Sequence, residues 1–184
     1  MCYNTSMSIF LDPKKAIEPL NIIPGMNVAD IGCGSGYYTF AASEKMDNEG
    51  KIYAVDVRKN VLEKLAADAK EKGVSIVETI WGNAELEGGT KIADEFADAV
   101  IASNIFFQVD DKKALVKELF RITGPGGKLL VIDWSDSFGG LGPPQEYLVS
   151  PEEIKSICQS TSFYFVEEIK AGAHHYKLLF KKVQ

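Results

Sequence analysis

Two aspartates and three glycines carry the chemistry written most plainly into this chain. Asp30 stands two positions ahead of Gly32, and Gly34 and Gly36 follow at the same spacing with Cys33 and Ser35 between them. Glycine is required where the backbone takes a positive φ or a ligand approaches the bare chain, so the run predicts a loop shaped around something. Val28, Ala29 and Ile31 ahead of it make a short apolar strand, and the residues from Tyr37 onward are compatible with a helix. A helix starting there points unpaired N–H groups and its positive dipole end at the loop, which favours a carboxylate or a phosphate. Asp30 would repel a pyrophosphate and suits a ligand with a cationic end. The dinucleotide fingerprint also wants a small third residue where Tyr37 stands. Asp56 closes the apolar run from Lys51 about twenty positions past the loop, where a carboxylate can accept both hydroxyls of a ribose. The ligand so described has a ribose, an anionic group and a cationic end.

S-adenosylmethionine (SAM) has that composition. Asp30-Ile31-Gly32-Cys33-Gly34-Ser35-Gly36 resembles the first motif of the class I SAM-dependent methyltransferases, and later segments fit the same family over roughly residues 12 to 182. The resemblance implies cofactor contacts from Asp30, Gly32, Cys33, Gly34, Gly36 and Tyr37 to the amino-acid tail, and from Asp56 and Val57 to the sugar side. Trp81-Gly82-Asn83-Ala84-Glu85 resembles the segment that flanks the adenine, with Asn83 where the family usually has Asp. The exchange keeps an acceptor and loses a charge, so Asn83 and backbone Ala84 are the expected adenine partners. Ser103 and Asn104, at the end of an apolar run from Phe96, are expected to face the methyl donor. Many relatives have His near Phe107-Gln108, and its absence here removes one general base.

Methyl transfer from a sulfonium is an in-line displacement of a neutral leaving group, so the protein need not supply a nucleophile. It must align acceptor and methyl and exclude water. No catalytic residue is assigned on this reading; Asp133, His174 and Tyr147 are candidate helpers for an acceptor that must lose a proton. His174 and His175 are adjacent, so in a strand they face opposite ways and cannot chelate one metal together. No metal site is expected.

The elements that must position these residues alternate. Strands are predicted near Val28–Ile31, Lys51–Asp56, Ser75–Ile80, Phe96–Asn104 and Lys128–Trp134. Helices are predicted from Asp12-Pro13, from Tyr37 to Lys45, from Asn60 to Lys72, from Asp110 or Asp111 to Ile122, and from Ser150-Pro151. Thr123-Gly124-Pro125-Gly126-Gly127 reads as the turn ending the fourth helix. Ser135 to Ser150 is rich in Gly and Pro and reads as a long loop, the candidate for acceptor selection with Trp134 and Tyr147. Phe163–Ile169 and His174–Phe180 read as a hairpin around Ala171-Gly172. The expected fold is therefore α/β: a Rossmann-like sheet, seven-stranded by the resemblance and mostly parallel, with helices on both faces and an antiparallel C-terminal hairpin.

Composition narrows the partners. The chain of 184 residues is read as one domain, 1–184, with 1–11 as a mobile leading segment; its 46% hydrophobic and 25% charged residues are ordinary for a globular protein. No apolar run approaches the ~20 residues of a membrane span and no leader pattern precedes the chain, so a cytoplasmic location is expected. Three scattered cysteines indicate neither a disulfide framework nor a metal cluster. A net charge of −6 and pI near 5.0 argue against nucleic acid as partner. Lys177, Lys181 and Lys182 are read as the solvent side of the final strand. The expected partner is a small-molecule methyl acceptor, with acceptor atom and oligomeric state left open. Two rivals remain: a SAM-binding regulatory protein without turnover, and an NAD-dependent dehydrogenase, against which Tyr37 and Asp30 speak.

Overall fold

A computed structural model describes residues 11–137 and 142–183, so the segment expected to be mobile falls outside the described residues except for Leu11. Seven strands form one sheet in the order β3-β2-β1-β4-β5-β7-β6. They are β1 Asn27–Ile31, β2 Lys51–Asp56, β3 Val77–Trp81, β4 Ala97–Ser103, β5 Thr123–Trp134, β6 Phe163–Ala171 and β7 His175–Lys182. Strands β1 to β5 pair in parallel, and β7 runs antiparallel to both β5 and β6. The chain winds outward from β1 to β3 and returns on the other side as β4. Asp30 of β1 thus lies level with Ala54 on one side and Ile101 on the other. That reversal opens a crevice above the carboxyl ends of β1 and β4.

The helices α1 Pro13–Ala16, α2 Tyr37–Met46, α3 Lys59–Glu71, α4 Lys112–Ile122 and α5 Pro151–Ser160 cover the sheet. Sequence signals start three of them: Asp12, Asp111 and Ser150 accept from Lys14 N, Ala114 N and Glu153 N at 3.0, 2.9 and 3.1 Å. α4 sends Leu115, Leu119 and Ile122 into a core with Val100, Val131 and Phe180, and α5 adds Ile154 and Cys158. On the opposite face Ile17, Leu20 and Met46 pack on Val28, Ile101 and Ile132. α3 buries Leu62 and Leu65 against Ala54 and Cys33.

Three local expectations are corrected. Thr123 to Gly127 is not a free turn after α4; β5 begins at once, and Ala97 pairs with Thr123 while Ala99 pairs with Lys128. The extra residues bulge out through Gly126 at φ +76°, and a side chain at Gly127 would lie 2.9 Å from the Ala97 carbonyl oxygen. The last strand starts at His175, leaving His174 in the hairpin turn. Lys177 and Lys182 are buried, because β7 is an inner strand covered on both faces. Lys182 Nζ donates to Glu95, to Phe120 O and to Thr123 O at 3.1, 3.2 and 2.9 Å, and Lys177 Nζ reaches Ala16 O at 3.5 Å.

One buried ion pair fixes the loop after β3. Glu118 of α4 accepts from Gly88 N, Thr90 N and Thr90 Oγ1 at 3.0, 3.1 and 2.6 Å, and from the Arg121 guanidinium at 2.7 and 2.8 Å. Burial alone would raise the Glu118 pKa, but these donors together lower it to about 2. Removing the carboxylate leaves Gly88 N and Thr90 N without their acceptor and the Arg121 guanidinium with only Asp94, Ile92 O and Thr90 Oγ1, so Glu118→Ala is expected to lower stability by about 1–3 kcal/mol. Because the folded pKa lies below the ordinary 4.5, the contribution is full above that value and fades as pH falls toward 2. Urea midpoints at neutral pH and at pH near 3 check this: the gap between wild type and variant narrows in acid.

Candidate active site

The glycine loop leaves β1 by bonding back to β2, with Gly32 N and Cys33 N donating to Val55 O at 2.8 and 3.0 Å. Gly32, Gly34 and Gly36 all take positive φ. Gly36 is demanded by packing, since a Cβ there would lie 2.2 Å from Leu65 Cδ1. Gly34 is different: a Cβ there would meet only the Arg58 guanidinium at 3.8 Å and Gly32 O at 3.9 Å, both ordinary contacts. α2 begins with Gly36 as a cap that offers no side-chain acceptor. Its first N–H groups are thus available to an anion. Burial, with Asp30 and Asp56 close by, pushes the Cys33 thiol far above its ordinary range, so it serves as wall and not as nucleophile.

Asp30 lies beneath this loop, 1% exposed, with Oδ2 accepting from Thr39 Oγ1 at 2.5 Å. Burial raises its pKa to about 6, against the pull of the Thr39 bonds. Asp56 lies across the loop at the end of β2. Its Oδ1 accepts from Arg58 N and Arg58 Nε at 2.9 and 3.0 Å, and its Oδ2 from Gly34 N and Arg58 Nη2 at 3.0 and 3.1 Å. Burial would lift this carboxyl, yet the Arg58 and Gly34 donors hold it below its usual range and keep it ionised.

A cleft of about 170 Å³ runs from Gly32 past Asp56, Val57 and Arg58 to Asn83 and Ala84, with Ile105 on the near wall. It brings together the residues expected on the sugar and adenine side. Val57 is 58% exposed, free to lie against a flat ligand. Asn83 Oδ1 accepts from Glu85 N at 2.9 Å, which shapes the turn that presents Ala84. A second cavity of about 490 Å³ opens beyond the end of β4, lined by Leu11, Pro13, Tyr37, Tyr38, Asn104, Trp134 and His175. At the end of β4 and just beyond it, Ser103 Oγ and Asn104 Oδ1 are buried and without a hydrogen-bond partner, and Asn104 lines the second cavity. Buried polar atoms are rarely left so, and a ligand is a natural partner for them.

The three expected helpers separate. Asp133, pushed up to about 6 by burial, accepts from Phe106 N at 3.0 Å and from Trp134 N at 2.9 Å. It therefore positions the segment after β4. His174 pairs with Asp136 at 2.8 Å on the hairpin turn, and it is His175 that lines the second cavity, its ring centroid 4.1 Å from that of Trp134. Tyr147 lines a different groove with Phe107 and Gln108. Phe106 is core. Sequence reasoning missed Arg58 and Thr39, and it left open which of His174 and His175 faces the site. The first sits two residues past the acid, where an Asx turn brings side chain and carboxylate together. The second is on the first turn of the helix that covers Asp30. The choice of histidine is decided by the pairing of His175 with Trp134, which no local signal encodes. Among the described residues no cluster of metal-ligating side chains occurs, and no helix is long and apolar enough to cross a membrane.

A sheet of this order, with a glycine loop after its first strand and an acid closing its second, defines the nucleoside-binding fold of the class I methyltransferases. A family described as "Methyltransferase domain" matches residues 22–182, and the chain belongs to it. A SAM-dependent methyltransferase from Aquifex aeolicus superposes with a TM-score of 0.86 at 23% identity, covering 98% of this chain and 94% of that one. The cyclase SpnF shares the fold with a TM-score of 0.80 at 16% identity over 93% of this chain and 79% of its own. In sequence, the demethylmenaquinone methyltransferase of Lactococcus lactis subsp. lactis is 30% identical over 124 residues, 66% of this chain and 47% of that protein. The chain spans about half the length of the curated relatives it matches.

The Asp133 bonds give a check on how the site is positioned. Asp133→Ala leaves Phe106 N buried without its acceptor, and is expected to cost about 1–3 kcal/mol. Hydrogen exchange should quicken at residues 104–108 while the Glu118 loop keeps its protection.

Proposed function

We propose that this protein transfers a methyl group from SAM to a small planar, hydroxylated acceptor seated in the cavity beside Trp134. The observation that carries the reading is the pair of unpartnered buried atoms, Ser103 Oγ and Asn104 Oδ1, where Asn104 lines the aromatic cavity and the next residue, Ile105, lines the sugar-and-base cleft. In this scheme the glycine loop and the α2 N-terminus hold the tail carboxylate, and Asp30 supplies negative charge for the ammonium from below. Asp56 takes the ribose hydroxyls, Val57 lies along the base, and Asn83 with Ala84 meets its edge. Bound SAM supplies a methyl on a cationic sulfur that leaves as a neutral thioether.

Trp134, Tyr38 and His175 give the acceptor two aromatic walls and one basic group. Burial and the neighbouring His174 lower the His175 pKa, with Asp136 opposing, so the imidazole is neutral near pH 7. Among the described residues its ring nitrogens bond to nothing, which leaves one available to receive an acceptor hydroxyl proton. The Lactococcus relative is named for a quinone-type acceptor, and a reduced naphthoquinone has the planarity and hydroxyls this cavity suits. A SAM-binding protein without methyl turnover is the second reading, favoured by Asn83 in place of Asp and by the fold shared with a cyclase.

Calorimetry with S-adenosylhomocysteine (SAH), followed by transfer of labelled methyl to reduced naphthoquinones and to a metabolite extract, separates these. Binding with transfer supports the first reading, binding without transfer the second, and NAD binding without SAH binding would revive a dehydrogenase. Asp56→Ala should weaken SAH binding by about 1–3 kcal/mol. His175→Gln should leave SAH binding intact and slow transfer about 10²- to 10⁴-fold. Because an ionised Asp30 attracts the ammonium, SAH affinity should fall as pH drops through about 6, and Asp30→Asn should flatten that dependence.

A further inference from the structure

The Asp56 carboxylate has no room left for a sugar. A carboxylate offers about four lone-pair sites, and here Arg58 N, Arg58 Nε, Gly34 N and Arg58 Nη2 fill them. The two backbone donors shape the loop and stay. The other two are the fork of one guanidinium, and Asp56 and Arg58 both line the cleft. A ribose presents two neighbouring hydroxyl donors with a similar spacing. We propose that the Arg58 guanidinium is a stand-in for the ribose diol, so that the cofactor binds by exchange with it and Arg58 sets cofactor affinity. This rests on the reading of Asp56 as the sugar-binding acid given above.

Four further observations fit an exchange. The Asp56 side chain is 4% exposed, so leaving it unpaired would be costly, and the guanidinium compensates it until a diol replaces it. The Arg58 side chain is 57% exposed, so it can swing into water with its charge fully hydrated. The Val57–Arg58 peptide just ahead of the swing is held at both of its polar atoms: Arg58 N donates to Asp56 Oδ1, and the Trp81 indole N–H donates to Val57 O at 3.0 Å. Arg58 also forms one wall of a cleft whose volume of about 170 Å³ is small for a nucleoside site, and its departure widens the place where the sugar would lie.

Calorimetry with SAH on wild type, Arg58→Ala, Arg58→Lys and Asp56→Ala tests the exchange. Relief of competition is expected to make Arg58→Ala bind SAH about 3- to 10-fold more tightly, with Arg58→Lys between the two because it keeps the charge and loses the fork. The free Arg58→Ala protein should melt at or below the wild-type temperature, and SAH should raise its melting temperature by more than it raises that of wild type. Equal or weaker binding by Arg58→Ala, with wild-type binding intact, overturns the exchange and leaves the cofactor reading standing. Unchanged binding by Asp56→Ala overturns the sugar seat and the exchange together. Absence of SAH binding in every variant and in wild type overturns the cofactor reading itself.

Discussion

Three carboxylates buried at the crest of a parallel sheet govern the shape of everything above it. Asp56 closes β2, and Asp30 and Asp133 stand one residue before the ends of β1 and β5, each 5% exposed or less. An isolated charge in such a place is prohibitively expensive, so each acid must find donors in the chain that follows or crosses it. Asp30 finds the Thr39 hydroxyl of α2, Asp56 finds Gly34 N and Arg58, and Asp133 finds Phe106 N and Trp134 N. Each of those bonds ties down one loop at the rim. The crevice opened by the reversal of strand order becomes a shaped site because its loops are anchored to acids and not only to one another.

This also explains the contrast between the two large buried acids of the rim and Glu118 behind it. Glu118 meets a complete set of donors including a guanidinium, and its pKa drops to about 2. Asp30 and Asp133 meet fewer donors and rise to about 6, so they sit in sites where additional positive charge or another donor would be welcome. A structural pair is saturated; a site acid is left partly in need. Thr39 alone satisfies one oxygen of Asp30, and an ammonium held by the loop above would meet the remaining demand through the field more than through contact.

The sequence displayed the fold because its strands are short apolar runs bounded by glycines, acids and caps, and those signals are local. Lys51–Asp56 emerges with the predicted limits for that reason, and of the two caps open for the fourth helix the structure uses Asp111. What eluded it depended on partners distant in the chain. Lys177 and Lys182 look like a solvent face until β7 is known to be an inner strand, after which the ammonium groups must travel to carbonyls of other elements. The five residues from Thr123 look like a turn until Ala97 pairs with the first of them. Which histidine faces the cavity turns on one residue of register against β5, and a shift of one exchanges the faces. The acids at strand ends were legible as chemistry; the guanidinium that covers one of them was not, because Arg58 reads as a surface residue at the start of a helix.

Charge at the rim gives the exchange at Asp56 a direction. With Arg58 in place the two acids and the guanidinium sum to one negative charge; with Arg58 swung into water they sum to two, and Asp56 then weighs more heavily on Asp30, which it already pushes upward. A methyl donor of net charge +1 repairs that imbalance, since its ammonium faces one acid and its sulfonium adds a further positive charge nearby. The demethylated product is neutral overall and repairs less of it. On the proposed reading the same two acids would favour the donor over the product, and a returning guanidinium would compete better for Asp56 after transfer than before. Discrimination of this kind needs no contact with the sulfur, only a pair of buried carboxylates and an arginine at the surface beside them.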